Sequence, residues 1–255
     1  MRKTAQVYFI GAGPGDPDLL TIKAQRLITQ ADVLVYADSL IPPEMLQGRK
    51  PSAEVIATSS KTLEEIVPLM IDRVRSKKMV VRLHSGDLTL YSAITEQLQG
   101  LSAANITYEL IPGISAYQAA AARLQVELTV PELVQTIILT RAQGRASAMP
   151  NPENLASLAV HQSSLCLYLA AKQVKVAQDQ LLKHYAADTP VAICWRVSWP
   201  EEKILIVPLT EMAATTEREQ LLRTTMYIIS PALGEVGKYR SHLYNPAHAH
   251  LFRPN

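Results

Sequence analysis

Short apolar runs closed by Gly, Pro or Asp alternate along the chain with longer segments whose apolar residues recur at helical spacing. Strands joined by crossover helices leave this pattern, so the class is α/β. In the first half the runs predict strands at 7–11, 33–36, 54–57, 80–83 and 108–111, with helices at 22–30, 63–76 and 92–101. A fresh set begins with VQTIILTR at 134–141, followed by SLCLYLA at 164–170, VAICWRV at 191–197, KILIVPL at 203–209 and TTMYIIS at 224–230. These read as a second sheet. Helices are expected at 153–161 and 172–184, and a third at 115–124 bridges the halves after the Pro112-Gly113 break.

Two α/β domains follow from this order: 1–115, and 116–240 with a tail at 241–255. No periodicity remains from Lys238 onward, so that stretch is expected to be loosely ordered. No Gly/Ser tract or run of like charge separates the halves; they are expected to pack together, with a ligand cleft between them.

Composition narrows the choice of ligand. With 48% hydrophobic residues, 255 residues suffice for two modest cores. The 25 Lys and Arg against 23 Asp and Glu leave a charge of +2, too balanced to predict nucleic-acid or membrane binding from charge alone, so any anion recognition must be local. No apolar stretch approaches the roughly 18 residues that span a bilayer. The opening MRKTAQ meets a glycine turn too soon to lead a signal peptide. A cytoplasmic, soluble protein is expected. Cys166 and Cys194 lie in apolar runs without CxxC or zinc spacing, which predicts buried reduced thiols and no metal site; His248 and His250 suit adventitious metal binding only.

The first strand runs into Gly11-Ala12-Gly13-Pro14-Gly15-Asp16, which invites a dinucleotide-binding reading. The third glycine of that pattern would fall on Asp16, whose carboxylate repels phosphate, and Pro14 and Pro17 remove two backbone donors. Asp38, near the end of the second strand, is the kind of acid that meets a ribose, so an oxidoreductase stays open as an alternative. The glycines also suit a tight strand-to-helix turn made for geometry alone.

The segment VYFIGAGPGDPDLLTIKAQRLITQADVLVYADSLIP resembles the opening of the tetrapyrrole (corrin and porphyrin) methylases. His84-Ser85-Gly86-Asp87-Leu88-Thr89-Leu90-Tyr91 resembles that family's Gly-Asp-Pro loop, and Ile111-Pro112-Gly113-Ile114-Ser115-Ala116 its Pro-Gly-x-Ser turn. Glu127-Leu128-Thr129-Val130-Pro131 and QTIILTRAQGR are similar to the precorrin-4 branch. The likeness runs through to Ser230-Pro231-Ala232-Leu233 and so spans both domains. It departs at Leu88, where proline is usual, which predicts a looser loop. It departs again at Gly144-Arg145-Ala146-Ser147-Ala148-Met149-Pro150, which bears on substrate choice.

This resemblance implies methyl transfer from S-adenosylmethionine to carbon 11 of the macrocycle, in a homodimer. It implies a cofactor grip made by Gly86, Asp87, Leu90, Ser115, Ala116, Tyr168 and Leu169, with Arg196, Thr225 and Met226 as weaker additions. A sulfonium methyl is itself an electrophile, so the protein need only orient the reactants and take a proton. Asp87 follows an apolar strand, where ligands gather, although it could equally cap its loop. Ser115 could also be the N-cap of the next helix.

Acetate and propionate arms call for localised cations, and Arg82, Arg141 and Arg145 are the candidates. Tyr91 and Tyr117 could line the ring or simply pack. Pro14, Gly15 and Asp16 could floor the substrate trough, with Asp16 as proton acceptor. His84 could act as base or be merely hydrogen-bonded. Methylation at another ring position, a non-catalytic tetrapyrrole-binding protein and a methylase of macromolecules remain alternatives; the lack of a basic patch weighs against RNA.

Overall fold

The computed structural model describes residues 5–143 and 148–234, so Arg145 and the 241–255 tail lie outside the described residues. The chain forms two compact units. Of the described residues, one unit comprises those up to Ala119 together with Arg196–Glu201; the other comprises those from Ala120 to Trp195 and from Glu202 on. The return of Arg196–Glu201 to the first unit has no counterpart in the sequence reading.

The first unit contains β1 (Val7–Gly11), β2 (Val33–Tyr36), β3 (Glu54–Ala57), β4 (Val80–His84) and β5 (Tyr108–Ile111). They form one sheet in the order β3-β2-β4-β1-β5, and every pairing is parallel. Side chains alternate across a strand, so each face gathers every second residue. Tyr8, Ile10, Leu34, Val81 and Leu83 pack with Ala24, Leu27 and Ile28 of α1 (Ile22–Gln30). Val7, Phe9, Val33, Val35 and Val80 pack with Ile66, Met70 and Val74 of α2 (Leu63–Arg75) and Leu101 of α3 (Thr95–Ala103). Because all five strands run the same way, their carboxyl ends and the loops that follow share one edge of the sheet.

The helices begin where local chemistry lets them. Thr21 Oγ1 accepts from Ala24 N at 3.1 Å to start α1, and Thr62 N donates to Glu65 Oε2 at 2.7 Å to start α2. α3 starts three residues later than expected, because Tyr91 (φ 55°) and Ala93 (φ 47°) hold left-handed backbone that a right-handed helix excludes.

In the second unit β6 (Ile137–Arg141), β7 (Ser164–Tyr168), β8 (Pro190–Trp195), β9 (Lys203–Pro208) and β10 (Thr225–Ile229) form a sheet in the order β6-β7-β10-β8-β9. Only β6 and β7 are parallel; the other pairs are antiparallel. Leu165, Leu167, Val191, Ile193, Tyr227 and Ile229 make one face of it and share a core with Val174, Ala177 and Leu181. The last three belong to α6 (Val174–Leu181), while α4 (Ala116–Leu124) and α5 (Leu155–Ala159) precede it. A seventh helix, α7 (Met212–Arg218), was not expected; it sinks Met212 and Ala213 but also Thr215 and Thr216, so its inner stripe is half polar.

Cys166 and Cys194 are free and enclosed, and burial pushes both thiols up to about 12. Among the described residues no helix is long and apolar enough to cross a membrane.

Candidate active site

Three glycines bring the carboxyl ends of β1, β4 and β5 into backbone contact. A Cβ on Gly11 would lie 2.6 Å from Gly113 N and 2.7 Å from Gly86 O, and one on Gly113 would lie 2.3 Å from Gly86 O. Real Cβ contacts do not come so close, so no side chain fits at either position. Hydrogen bonds close the arrangement: Ala12 N donates to His84 O at 2.7 Å, Gly13 N to Gly86 O at 3.1 Å, and Gly86 N to Gly13 O at 2.7 Å.

That geometry removes the dinucleotide alternative. The Gly13 amide, which would face a pyrophosphate, is already given to Gly86 O. Asp38, the candidate ribose partner, instead holds the loop after β3, accepting from Thr58 N at 3.0 Å, Ser59 N at 2.8 Å and Ser59 Oγ at 2.7 Å. The Ser59 bonds chiefly hold its carboxyl below the ordinary value.

Gly86 has φ 66°, and nothing but Ser115 Cα, at 4.0 Å, approaches the place a Cβ would take. The turn thus leaves open space next to a carboxylate. Asp87 Oδ1 accepts from Thr89 N at 2.8 Å and from Thr89 Oγ1, and Oδ2 accepts from Gly113 N at 3.3 Å. Partial burial works to raise its pKa, but the bonds from Thr89, Gly113 and Leu88 outweigh burial and keep the carboxyl below its usual range. Leu88 is buried in the α2–α3 core, so the residue that replaces the usual proline anchors the loop through packing. Ser92 Oγ adds a bond to Asp87 O at 3.1 Å. Leu90 is half-buried beside this turn in sequence, and Tyr91 is exposed.

Ser115 precedes α4, and its N–H donates to Gln118 Oε1 at 2.9 Å, one half of a capping box. Its side chain is buried, and Ala116 and Tyr117 are half-buried. Gly86, Asp87 and Ser115 are therefore brought together, with Gly113 of the Pro-Gly-x-Ser turn, to which the sequence assigns no contact of its own, as a fourth member.

His84 and Arg82 lie deeper than expected. Both belong to the face of β4 that carries Val80 and turns toward α2 and α3. Arg82 is 4% exposed and gives Nε to Gln97 Oε1 at 3.3 Å and an Nη to Thr58 Oγ1 at 3.1 Å. Burial pulls its guanidinium down to about 10. An arginine so enclosed and so spent is a strut within the unit, which corrects its reading as an edge cation for substrate. His84 is 6% exposed, stacks on Phe9 with ring centroids 6.1 Å apart, and leaves Nε2 without a hydrogen-bond partner. Burial first, and the Arg82 charge second, push the imidazole down to about 3. It is neutral near pH 7, and taking up a proton there would set a second charge beside Arg82, which argues against a general base.

Asp16 caps the short turn Pro17–Leu19, accepting from Asp18 N at 2.9 Å. Pro14 and Gly15 are covered by a residue that sequence reasoning missed, Trp199, which belongs to the same unit. Its Nε1–H donates to Pro14 O at 3.0 Å, and a Cβ on Gly15 would lie 2.3 Å from Trp199 Cδ1. Arg196 lies 5.0 Å from the centre of the indole and 3.6 Å from Glu201. Backbone φ of 47° at Arg196 and 70° at Ser198 puts two non-glycine residues of this segment in left-handed conformation, at about 1–3 kcal/mol each. The signal in the sequence was a Trp-Pro pair between two strands.

In the second unit Arg141 and Tyr168 are register partners at the carboxyl ends of β6 and β7. Arg141 donates to Ala142 O at 3.2 Å and Ala148 O at 3.3 Å, while Tyr168 O accepts from Ala142 N at 3.1 Å. Leu169 is 65% exposed with φ 54°. Thr225 and Met226 are buried, and Thr225 Oγ1 donates to Leu221 O at 2.7 Å, so neither side chain is at the surface.

A parallel sheet whose central strands end in a glycine-packed Gly-Asp turn, followed by a second mixed sheet, is the architecture of a known group of enzymes. The sequence profile of the Tetrapyrrole (Corrin/Porphyrin) Methylases matches residues 6–213, and the chain belongs to that family. It is 43% identical over 248 residues to the precorrin-4 C(11)-methyltransferase of Pseudomonas aeruginosa, covering 97% of this chain and 98% of that one. It is 41% identical to the cobalt-precorrin-4 C(11)-methyltransferase of Priestia megaterium, covering 97% of each. The solved structure of a cobalt precorrin-4 methyltransferase superposes with a TM-score of 0.87 at 40% identity, over 90% of this chain and 96% of that one. Uroporphyrin-III C-methyltransferase from Thermus thermophilus, solved with S-adenosyl homocysteine, gives 0.73 at 25% identity, over 90% of this chain and 99% of that one.

Proposed function

We propose that the protein methylates carbon 11 of precorrin-4 or its cobalt form, with S-adenosylmethionine as methyl donor, in corrin synthesis. The observation that carries the reading is the Gly86–Asp87 turn, pinned against Gly13 and Gly113 with open space above Gly86. The residues present suit the donor. An ionised carboxylate with one loosely held oxygen can accept from an ammonium or from ribose hydroxyls, and a glycine whose missing side chain would meet only Ser115 Cα, at 4.0 Å, leaves room for close approach. Gly86, Asp87, Leu90, Ser115 and Ala116, all of the first unit, would hold it.

When bound, S-adenosylmethionine supplies a sulfonium methyl, an electrophile that needs no nucleophile or metal from the protein. The chain's own part is orientation and exclusion of water. The glycine contacts at the ends of β1, β4 and β5 fix the turn so that no reorganisation is needed on binding. The turn from Pro14 to Asp16 marks the substrate side, with Pro14 and Gly15 themselves beneath Trp199. Asp16, held by Asp18 N through one oxygen, keeps the other for a proton lost from the ring. Tyr91 and Tyr117 border the ring. The resemblance to the family extends the proposal to a homodimer in the cytoplasm; light scattering of the purified protein would test the dimer, and a monomeric mass would overturn it.

The test is to incubate the protein with S-adenosylmethionine and enzymatically made precorrin-4, with and without cobalt, and to weigh the product. One added methyl group on carbon 11 is expected. No methylated product from either form overturns the proposal.

A further inference from the structure

Trp199 occupies the ground that the proposed substrate floor would otherwise expose. Its indole edge rests on Gly15 so closely that a single methyl group there would enter the ring, and its N–H is fastened to Pro14 O at 3.0 Å. One side of the ring meets the Arg196 guanidinium at 5.0 Å. The residue is nonetheless only half-buried, so part of the aromatic surface faces outward. A tryptophan that merely fills a core would be enclosed. This one is held at its edge, supported by a cation and left open over a turn at the carboxyl edge of a parallel sheet, where ligands gather.

Left-handed backbone at Arg196 and Ser198 accompanies this placement. Strain of this kind collects at ligand-contacting segments and persists only where surrounding contacts enforce it. Here the enforcing contacts are the indole N–H on Pro14 and the Arg196–Glu201 pair.

We infer that Trp199 is a specificity-determining residue for the tetrapyrrole: the macrocycle lies against the indole over the Pro14–Gly15 turn, and Arg196 fixes the plane of that indole. The inference rests on the proposed substrate and goes beyond it by naming the surface the ring meets. A broad conjugated ligand gains from an aromatic face through offset stacking, and an indole pinned at its edge gives up no freedom on contact. Gly15 then serves the site by admitting Trp199, and not by touching substrate itself.

The test compares wild type with Trp199→Ala and Trp199→Phe, reading KM for precorrin-4, kcat, the dissociation constant for S-adenosylmethionine, and direct binding of precorrin-4 by equilibrium dialysis. Trp199→Ala is expected to raise KM and the tetrapyrrole dissociation constant about tenfold while cofactor affinity stays within about twofold. Trp199→Phe, which keeps a ring but loses the bond to Pro14, is expected to recover most of the loss. An unchanged KM in Trp199→Ala overturns the inference, as does an equal fall in cofactor affinity, which would mark a purely structural residue. A wild type that binds precorrin-4 without methylating it would remove the proposed reaction and leave the Trp199 comparison readable by dialysis.

Discussion

Asp87 Oδ2 accepts a hydrogen bond from Gly113 N at 3.3 Å, tying the loop after β4 to the turn after β5. The bond is long, and Asp87 Oδ1 is committed to Thr89, so Oδ2 is the oxygen a ligand can claim. Asp87→Asn should weaken S-adenosylmethionine binding by about 10- to 100-fold, the worth of a hydrogen bond to a charged group. Isothermal titration checks this; equal affinities would put the donor elsewhere.

Gly113→Ala should be far more damaging than an ordinary loop substitution. Its Cβ would meet Gly86 O at 2.3 Å and Gly11 O at 2.4 Å, both backbone atoms that cannot swing aside. A loss of about 3 kcal/mol in stability is expected, together with loss of cofactor binding, as β4 and β5 are forced apart. Urea unfolding and titration together read both effects.

Gly15→Ala tests the packing of Trp199 from the other side. With Cβ and Cδ1 at 2.3 Å the indole must leave. Trp195 is the only other tryptophan, so a Trp195→Phe background isolates the signal. A red-shifted, more quenchable emission is expected after Gly15→Ala, and an unchanged spectrum would contradict the contact.

His84 makes stability depend on pH in a stated direction. Its imidazole titrates near 6.5 when unfolded and is pushed down to about 3 by burial and by Arg82, so below pH 6.5 the unfolded chain takes up a proton that the folded chain refuses. The contribution is complete above pH 6.5 and is lost as pH falls toward 3. Relative to His84→Phe, which keeps a ring against Phe9, the wild type should lose about 2 kcal/mol between pH 7 and pH 5. Denaturant titrations of both proteins at several pH values measure it.

The strands were readable in the sequence because most are enclosed on both faces and so appear as unbroken apolar runs. β4 shows both the strength and the limit of that reading. Its run is plain, yet an edge role for Arg82 neglects the period of two, which places 80, 82 and 84 on one face, and that face packs under α2 and α3. α7 escaped because seven residues make only two turns, and two of its inward positions are threonines. The start of α3 escaped because Tyr91 and Ala93 adopt left-handed backbone without the glycine that usually marks it.

At the candidate site, Gly86, Asp87 and Ser115 stand out in the sequence because the segments at 84–91 and 111–116 resemble the family's motifs; a Gly-Asp pair after an apolar strand is by itself as readily a loop cap. Trp199 was not. Its partner Pro14 stands 185 residues away in the chain, and no local pattern records a contact formed only on folding.

That distance also governs how the protein can be made. The first compact unit includes Arg196–Glu201, so it is discontinuous in sequence although its sheet ends at Ile111. During synthesis β1 to β5 can assemble early, but the carbonyl of Pro14 waits for its indole donor until 185 further residues have been translated. A fragment cut after Ala119 would carry all five parallel strands and still lack a piece of its own unit.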